Sequence, residues 1–225
     1  MSSRSSFLSS SIGRKWVVAV TGLALIGFIT VHLLGNLSIF LGPDAVNGYA
    51  ANLHHLGKLL WVARLGLIAA AVLHIYFTML LWRENRQASL QKYAVTQTLE
   101  TTLYARTMRL SGLVIFGFVL FNLAQFTWEW VNPESKGWLD AAGRHDVYRM
   151  LVTAFGNPWV AGFYLLSVGF LALHLSHGIA SLFQTLGLTS KKLRPRFEIA
   201  GKIVAWTFFL GYASIPTSVI FKFIK

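Results

Sequence analysis

Five runs of about 20 apolar residues, the length a helix needs to cross a bilayer, constrain this chain more than any other feature. They are Trp16–Leu41, Leu59–Trp82, Leu110–Trp130, Trp159–Gln184 and Ile203–Phe221. Only 12% of the 225 residues are charged, whereas a soluble domain carries about 25%. A lipid-facing surface accounts for the deficit, because side chains can then be apolar on the outside as well as the inside. Backbone groups in hydrocarbon have only one another as partners, so each run is expected to be a helix. The first run exceeds the apolar region of a signal peptide, about 7–15 residues, and reads as a retained span. The expected architecture is an all-α integral membrane protein, a single five-helix bundle over residues 1–225.

The net charge of +12 would suit nucleic acid, but its distribution follows membrane topology instead. With the N-terminus inside, thirteen bases lie on the cytoplasmic side, among them Arg14, Lys15, Arg83, Arg86, Arg109 and Arg194, against the acids Glu84, Glu100 and Glu198. The outer side holds the other seven bases and five acids. The excess of Lys and Arg on one side predicts a cytoplasmic N-terminus and an outside C-terminus. Trp16, Trp82, Trp128, Trp130, Trp159 and Trp206 fall at or near span ends, where interfacial aromatic belts form. The outer loop Gly42–Lys58 carries the turn signals "GPD" and "NG". The inner loop Arg83–Arg109 is long enough for an amphipathic segment. The outer segment Val131–Pro158 predicts a short helix near His145–Phe155, and the inner loop Gly187–Gly201 contains "KKLRPRFE".

The chain has no cysteine, so it can form neither a disulfide nor a thiolate metal site, and any metal must use histidine. His32, His74, His174 and His177 lie well within spans, where a polar side chain needs a partner and marks a functional site by default. At about 1.5 Å per residue, His74 lies roughly 12 Å from Trp82 at the inner end of its span. His174 lies roughly 15 Å from Gln184, so the two can face each other at one level. Depth alone leaves His177, one turn away, as an alternative to His174. His32 is roughly 24 Å from Trp16, near the outer side. Two neutral imidazoles from facing helices are a common way to hold a six-coordinate haem iron inside a bundle. Without C-x-x-C-H such a haem is non-covalent, b-type. Gly22, Gly27, Gly35, Gly66, Ala69, Ala70, Ala71, Gly112, Gly117, Gly162 and Gly169 would let a flat macrocycle approach, though tight helix packing alone explains small residues in lipid. His54, His55 and His145 are expected at the surface or interface. In "FGFVLFNLAQF", Asn122 and Gln125 share a helix face and are expected to hydrogen-bond between helices, His32 being one partner within the right level.

The pattern resembles the cytochrome b membrane-anchor subunit of succinate:quinone oxidoreductase (succinate dehydrogenase and fumarate reductase) in its single-chain, five-helix bacterial form. The resemblance rests on "SIGRKWVVAVTGLALIGFITVHLLGNL", "LHHLGKLLWVARLGLIAAAVLHIYF", "RENRQ", "TMRLSGLVIFGFVLF", "ALHLSHGIASLFQTLGL" and "GYASIP", in order and over nearly the whole chain. It implies a multi-pass subunit of the bacterial cytoplasmic membrane, carrying haem b and docking a flavoprotein subunit and an iron–sulfur subunit on the cytoplasmic face. FAD and the iron–sulfur clusters would sit on those partners, and electrons from succinate would pass to a membrane quinone, with menaquinone expected. No nucleic acid is implied. By motif, His74 and His174 are the axial ligands of the inner haem, and His177 is a propionate contact. His32 matches the first ligand of an outer haem, whose second ligand falls at Asn122, a poor donor to haem iron. The resemblance therefore implies one ordinary bis-histidine haem and an outer haem lost or altered. Where related fumarate reductases carry an acidic residue before the fourth-span histidine, this chain has Ala172.

Two rival functions fit parts of the pattern. One is a haem-free structural anchor of the same complex. The other is a proton-coupled transporter with a histidine relay. Against the transporter, the only carboxylate in a span is Glu129 near an end, and no pair of broken helices occurs in corresponding halves. Pro216 is the only proline well inside a span.

Overall fold

The computed structural model describes residues 7–88 and 103–225, and the stretch expected to hold an amphipathic inner segment lies largely outside them. Seven α-helices occur among the described residues: α1 (Ser11–Leu37), α2 (Pro43–His55), α3 (Lys58–Ala88), α4 (Leu103–Phe126), α5 (Val147–Gly156), α6 (Pro158–Thr185) and α7 (Arg194–Ile220). Five segments are long and apolar enough to cross a membrane: Ser11–Leu41, Lys58–Gln87, Thr107–Phe126, Pro158–Thr185 and Arg194–Ile220. The described residues contain no β-strand, only an isolated bridge between Leu139 and His145. The all-α, five-span expectation holds.

The boundaries differ from the apolar runs for local reasons. α1 starts five residues before Trp16 because Ser10 caps it, its hydroxyl accepting from the Gly13 N–H at 3.0 Å. Arg14 and Lys15 therefore lie inside the helix. α4 stops at Phe126, short of Trp130, because Glu129 adopts φ 52° and turns the chain back. The Trp128 and Trp130 N–H groups then donate to the last-turn carbonyls of Leu123 and Ala124 at 2.8 Å. The "KKLRPRFE" stretch is not all loop. Pro195 stands in the first turn of α7, where its fixed φ suits a helix start and its missing N–H costs nothing. Likewise "GPD" opens a helix: Gly42 at φ 100° breaks the chain direction, Pro43 begins α2, and Asp44 lies in its first turn.

α6 is the central helix, packed along α4 on one side and α7 on the other; α1 runs beside α3 and also touches α6 and α7. α3 has α1 as its main neighbour and leaves a long apolar face bare, including Trp61, Leu65, Ile68 and Val72. One core forms where α1, α6 and α7 meet, around Leu33, Ala172, Leu175, Ala205 and Phe208. A second joins Ile39 and Val46 to Leu151, Phe155, Tyr164 and Ile215 at the other end of the bundle. That end is closed by α2, α5 and the chain between α4 and α6, and is called the capped end below. The opposite end carries Arg14, Glu84, Arg109 and Arg194, and is called the basic end.

A buried amide holds the cap together. Asn47, 1% exposed, donates to Asp140 at 3.3 Å and Asp146 at 3.1 Å and accepts from the Tyr148 N–H at 2.9 Å. Arg144 ties Asp140 (2.7 Å) to Asp44 (2.6 Å). Desolvation opposes ionisation of Asp140, but hydrogen bonds from Arg144, Asn47 and Ala142 outweigh it and hold the carboxyl below its ordinary range. Asp44 and Asp140 in turn raise the Arg144 guanidinium further.

Candidate functional site

His74 on α3 and His174 on α6 sit on separate helix pairs, yet they are held alike. His74 Nδ1 lies 3.1 Å from the Val18 carbonyl and 3.2 Å from Thr21 Oγ1, both on α1. His174 Nδ1 lies 3.2 Å from Ser111 Oγ on α4. The Val18 carbonyl can only accept, and Ser111 Oγ gives its one proton to the Met108 carbonyl at 3.0 Å, so each Nδ1 carries the proton and each Nε2 keeps its lone pair. His177 follows His174 by three residues on α6.

Glycine decides how closely these rings approach. A Cβ at Gly22 would stand 3.2 Å from His74 Cε1, and one at Gly112 would stand 3.6 Å from His174 Cε1. The other small residues expected to admit a macrocycle behave differently. Gly27, Gly66, Gly117 and Gly162 border open space, and Gly35 is packed beneath the Tyr49 ring. Sequence reasoning picked out Gly22 and Gly112 but not the hydroxyl residues before them. The repeated pair of hydroxyl and glycine, "TG" in the first span and "SG" in the third, was the available signal.

His177 bonds Ser181 Oγ on its own helix at 3.1 Å. Arg14 pairs with Glu84 across α1 and α3, and its Nε donates to the Leu8 carbonyl at 2.9 Å. Arg109 and Arg86 both lie over the Trp82 ring, at 5.1 and 5.8 Å. The basic end thus brings the tips of α1, α3 and α4 together.

Nearer the capped end the arrangement changes. The His32 ring stacks on Phe28 at 5.3 Å and lies 6.3 Å from the Tyr212 ring, with no hydrogen bond to either ring nitrogen among the described residues. The Tyr212 hydroxyl donates to the Ile29 carbonyl at 2.7 Å. Asn122 does not meet His32. Its amide donates to the Tyr164 hydroxyl at 3.2 Å, which donates to Gln125 Oε1 at 2.8 Å. Tyr164 is boxed by Phe118, Phe121, Phe126 and Phe155, so Asn122 looks towards α6 and an aromatic cluster. The expectation of a bond to His32 fails because His32 lies towards α7. His54 and His55 end α2, exposed as expected. His145 is half-buried, not superficial: its Nε2 lies 2.8 Å from Met150 Sδ and 3.8 Å from Glu129, which itself accepts from Ser135 Oγ at 2.8 Å.

The described residues contain no cluster of three or more His, Asp or Glu suited to a bare metal ion. Haem asks for less, because the macrocycle brings four nitrogens and the protein need supply only axial donors. His74 and His174, with Nδ1 occupied and Nε2 presented, fit that requirement. Ala172, 1% exposed in the core beside α7, offers no carboxylate there.

Comparisons with curated proteins and with solved structures each found no match. The family model described as "Succinate dehydrogenase/Fumarate reductase transmembrane subunit" matches residues 82–210, more than half of the 225. The match includes Asn122, His174 and His177 and leaves out His32 and His74. With five membrane-crossing segments and this match, the chain is an integral, multi-pass membrane protein that belongs to the succinate dehydrogenase/fumarate reductase transmembrane subunit family.

Proposed function

We propose that this chain is the haem b-carrying anchor of a succinate dehydrogenase complex, passing electrons between an iron–sulfur partner subunit and a membrane quinone. The observation that carries the reading is the pair of imidazoles, His74 and His174, each with Nδ1 committed to a neighbouring helix. When bound, the haem supplies a one-electron relay. His74 and His174 would hold the haem through their Nε2 atoms, with Nδ1 bonded to the neighbouring helices to fix each ring's orientation. His177, three residues after His174 and bonded to Ser181, is assigned to the haem's polar edge together with the arginines of the basic end.

The family places the chain among the other subunits of such complexes. In this reading the basic end faces the cytoplasm of a bacterial cell, as the excess of Lys and Arg there favours. There it meets the flavoprotein and iron–sulfur subunits, which hold FAD and the clusters. Menaquinone is the proposed acceptor. One haem is assigned, at the level of His74 and His174. The engagement of Asn122 by Tyr164 and the stacking of His32 on Phe28 support an outer level without a bis-histidine haem.

A dithionite-reduced minus oxidised spectrum of the intact complex, with haem quantified per chain, tests both parts. The expected result is b-type bands from one low-spin centre per chain. Absence of haem overturns the reading; two low-spin bis-histidine centres overturn the assignment of the outer level.

A further inference from the structure

We propose that Thr21 and Ser111 are a matched pair of positioning residues that fix the tautomer and plane of the His74 and His174 rings. This rests on the haem reading above and extends it to residues that do not touch the iron. α1 and α4 repeat one local device. In each helix a hydroxyl residue precedes a glycine, gives its proton to a carbonyl of its own helix (Val17 for Thr21, Met108 for Ser111) and meets the Nδ1 of a facing histidine at 3.2 Å.

The direction of every bond in the device is forced. Thr21 Oγ1 spends its single proton on its own helix, at 2.7 Å from the Val17 carbonyl and 3.2 Å from Val18. Ser111 Oγ spends its proton on Met108 at 3.0 Å. Both hydroxyls therefore turn lone pairs towards the imidazoles and can only accept from them. The Nδ1–H form is then the only tautomer that satisfies both hydroxyls and the Val18 carbonyl together. Burial sharpens the selection: Ser111 is 0% exposed and Thr21 8% exposed, so no water replaces a missing partner cheaply. Gly22 lets the His74 ring lie against the helix backbone, a Cβ there standing 3.2 Å from the ring, whereas at Gly112 the corresponding 3.6 Å is ordinary contact.

The consequence is electronic as well as geometric. A bond from Nδ1–H to an acceptor makes the opposite nitrogen a better donor and stabilises the more positive, oxidised iron. Removing the acceptor should raise the midpoint potential. Thr30, which also donates to its own helix at 2.8 Å but touches neither histidine, is the control for loss of a helix hydroxyl.

The test is potentiometric titration and low-temperature EPR of the intact complex carrying Thr21→Val, Ser111→Ala, both, or Thr30→Val. Single variants should raise the midpoint potential and shift the low-spin g-values, and the double variant should weaken haem retention about 10–100-fold. Thr21→Ser and Ser111→Thr should restore wild-type values, and Thr30→Val should leave them unchanged. Gly22→Ala should disturb the same signal because 3.2 Å is too close for the ring, whereas Gly112→Ala, at ordinary contact distance, should not. Unchanged potential, g-values and haem retention in the Thr21 and Ser111 variants would overturn the positioning proposal while leaving a haem-bearing wild type intact. A wild-type complex with no haem would overturn both.

Discussion

Two levels of the same bundle carry polar side chains of similar kind and treat them in opposite ways. Towards the basic end, His74 and His174 each have one ring nitrogen bonded to the neighbouring helix and the other presented. Towards the capped end, His32 has its ring face on Phe28 and neither nitrogen bonded among the described residues, while Asn122 is taken up by Tyr164. Position in an apolar span is the same warning at both levels. What separates a ligand from a packing residue is the use of its second polar atom, because an imidazole whose Nδ1 is fixed has a defined lone pair at Nε2.

The largest effect that would break the contrast comes from exchanging the histidines. His74→Ala or His174→Ala should abolish the low-spin haem signal in EPR, whereas His32→Ala and His177→Ala should preserve it. Loss of that signal in His32→Ala would erase the distinction between the levels. Next, Asn122→His should not add a second low-spin centre, because position 122 faces Tyr164 rather than His32; a doubling of haem per chain would refute that geometry. A smaller, purely structural effect is expected from Tyr164→Phe. It removes the hydroxyl joining Asn122 to Gln125 and leaves buried amide groups unpaired, for a loss of about 1–3 kcal/mol in denaturant titrations in detergent. The haem spectrum should stay unchanged. The smallest effect concerns acid. Asp140 titrates below its ordinary value in the folded cap, so its contribution to stability is complete above that value and fades as pH falls through the lowered one. The protection of the α2 amides from hydrogen exchange, relative to their intrinsic rates, should therefore fall in acid before protection around His74 and His174 does. Uniform loss of protection across both levels would contradict a separate, charge-held cap.

The membrane spans were legible because lipid writes itself into composition: each long helix had to be apolar nearly all round. Their ends were less so. Arg14 and Lys15 looked like a boundary, but a capping serine upstream carries the helix through them. The end of α4 depends on Glu129 in a left-handed conformation, for which a non-glycine gives no sequence cue. "GPD" was a helix start mistaken for a turn, since glycine, proline and aspartate serve both. At the site, helical rise placed His74 and His174 at one depth, but rotation about each helix is what pairs a histidine with Thr21 or Ser111. That rotation depends on packing between residues 53 and 63 positions apart. The same limit hid the partner of Asn122, which spacing alone left open between α1 and α6.

The buried Asn47 has a further meaning for how the protein is made. Its partners Asp140, Asp146 and Tyr148 lie 93, 99 and 101 residues downstream. At a synthesis rate of about 5–20 residues per second, α2 is made about 5–20 s before those partners are translated. Through that interval the amide must stay hydrated or be shielded by something else. The cap can close only after α4 has been inserted and the segment behind it delivered, so its closure reports that the first three membrane segments have taken their final orientation.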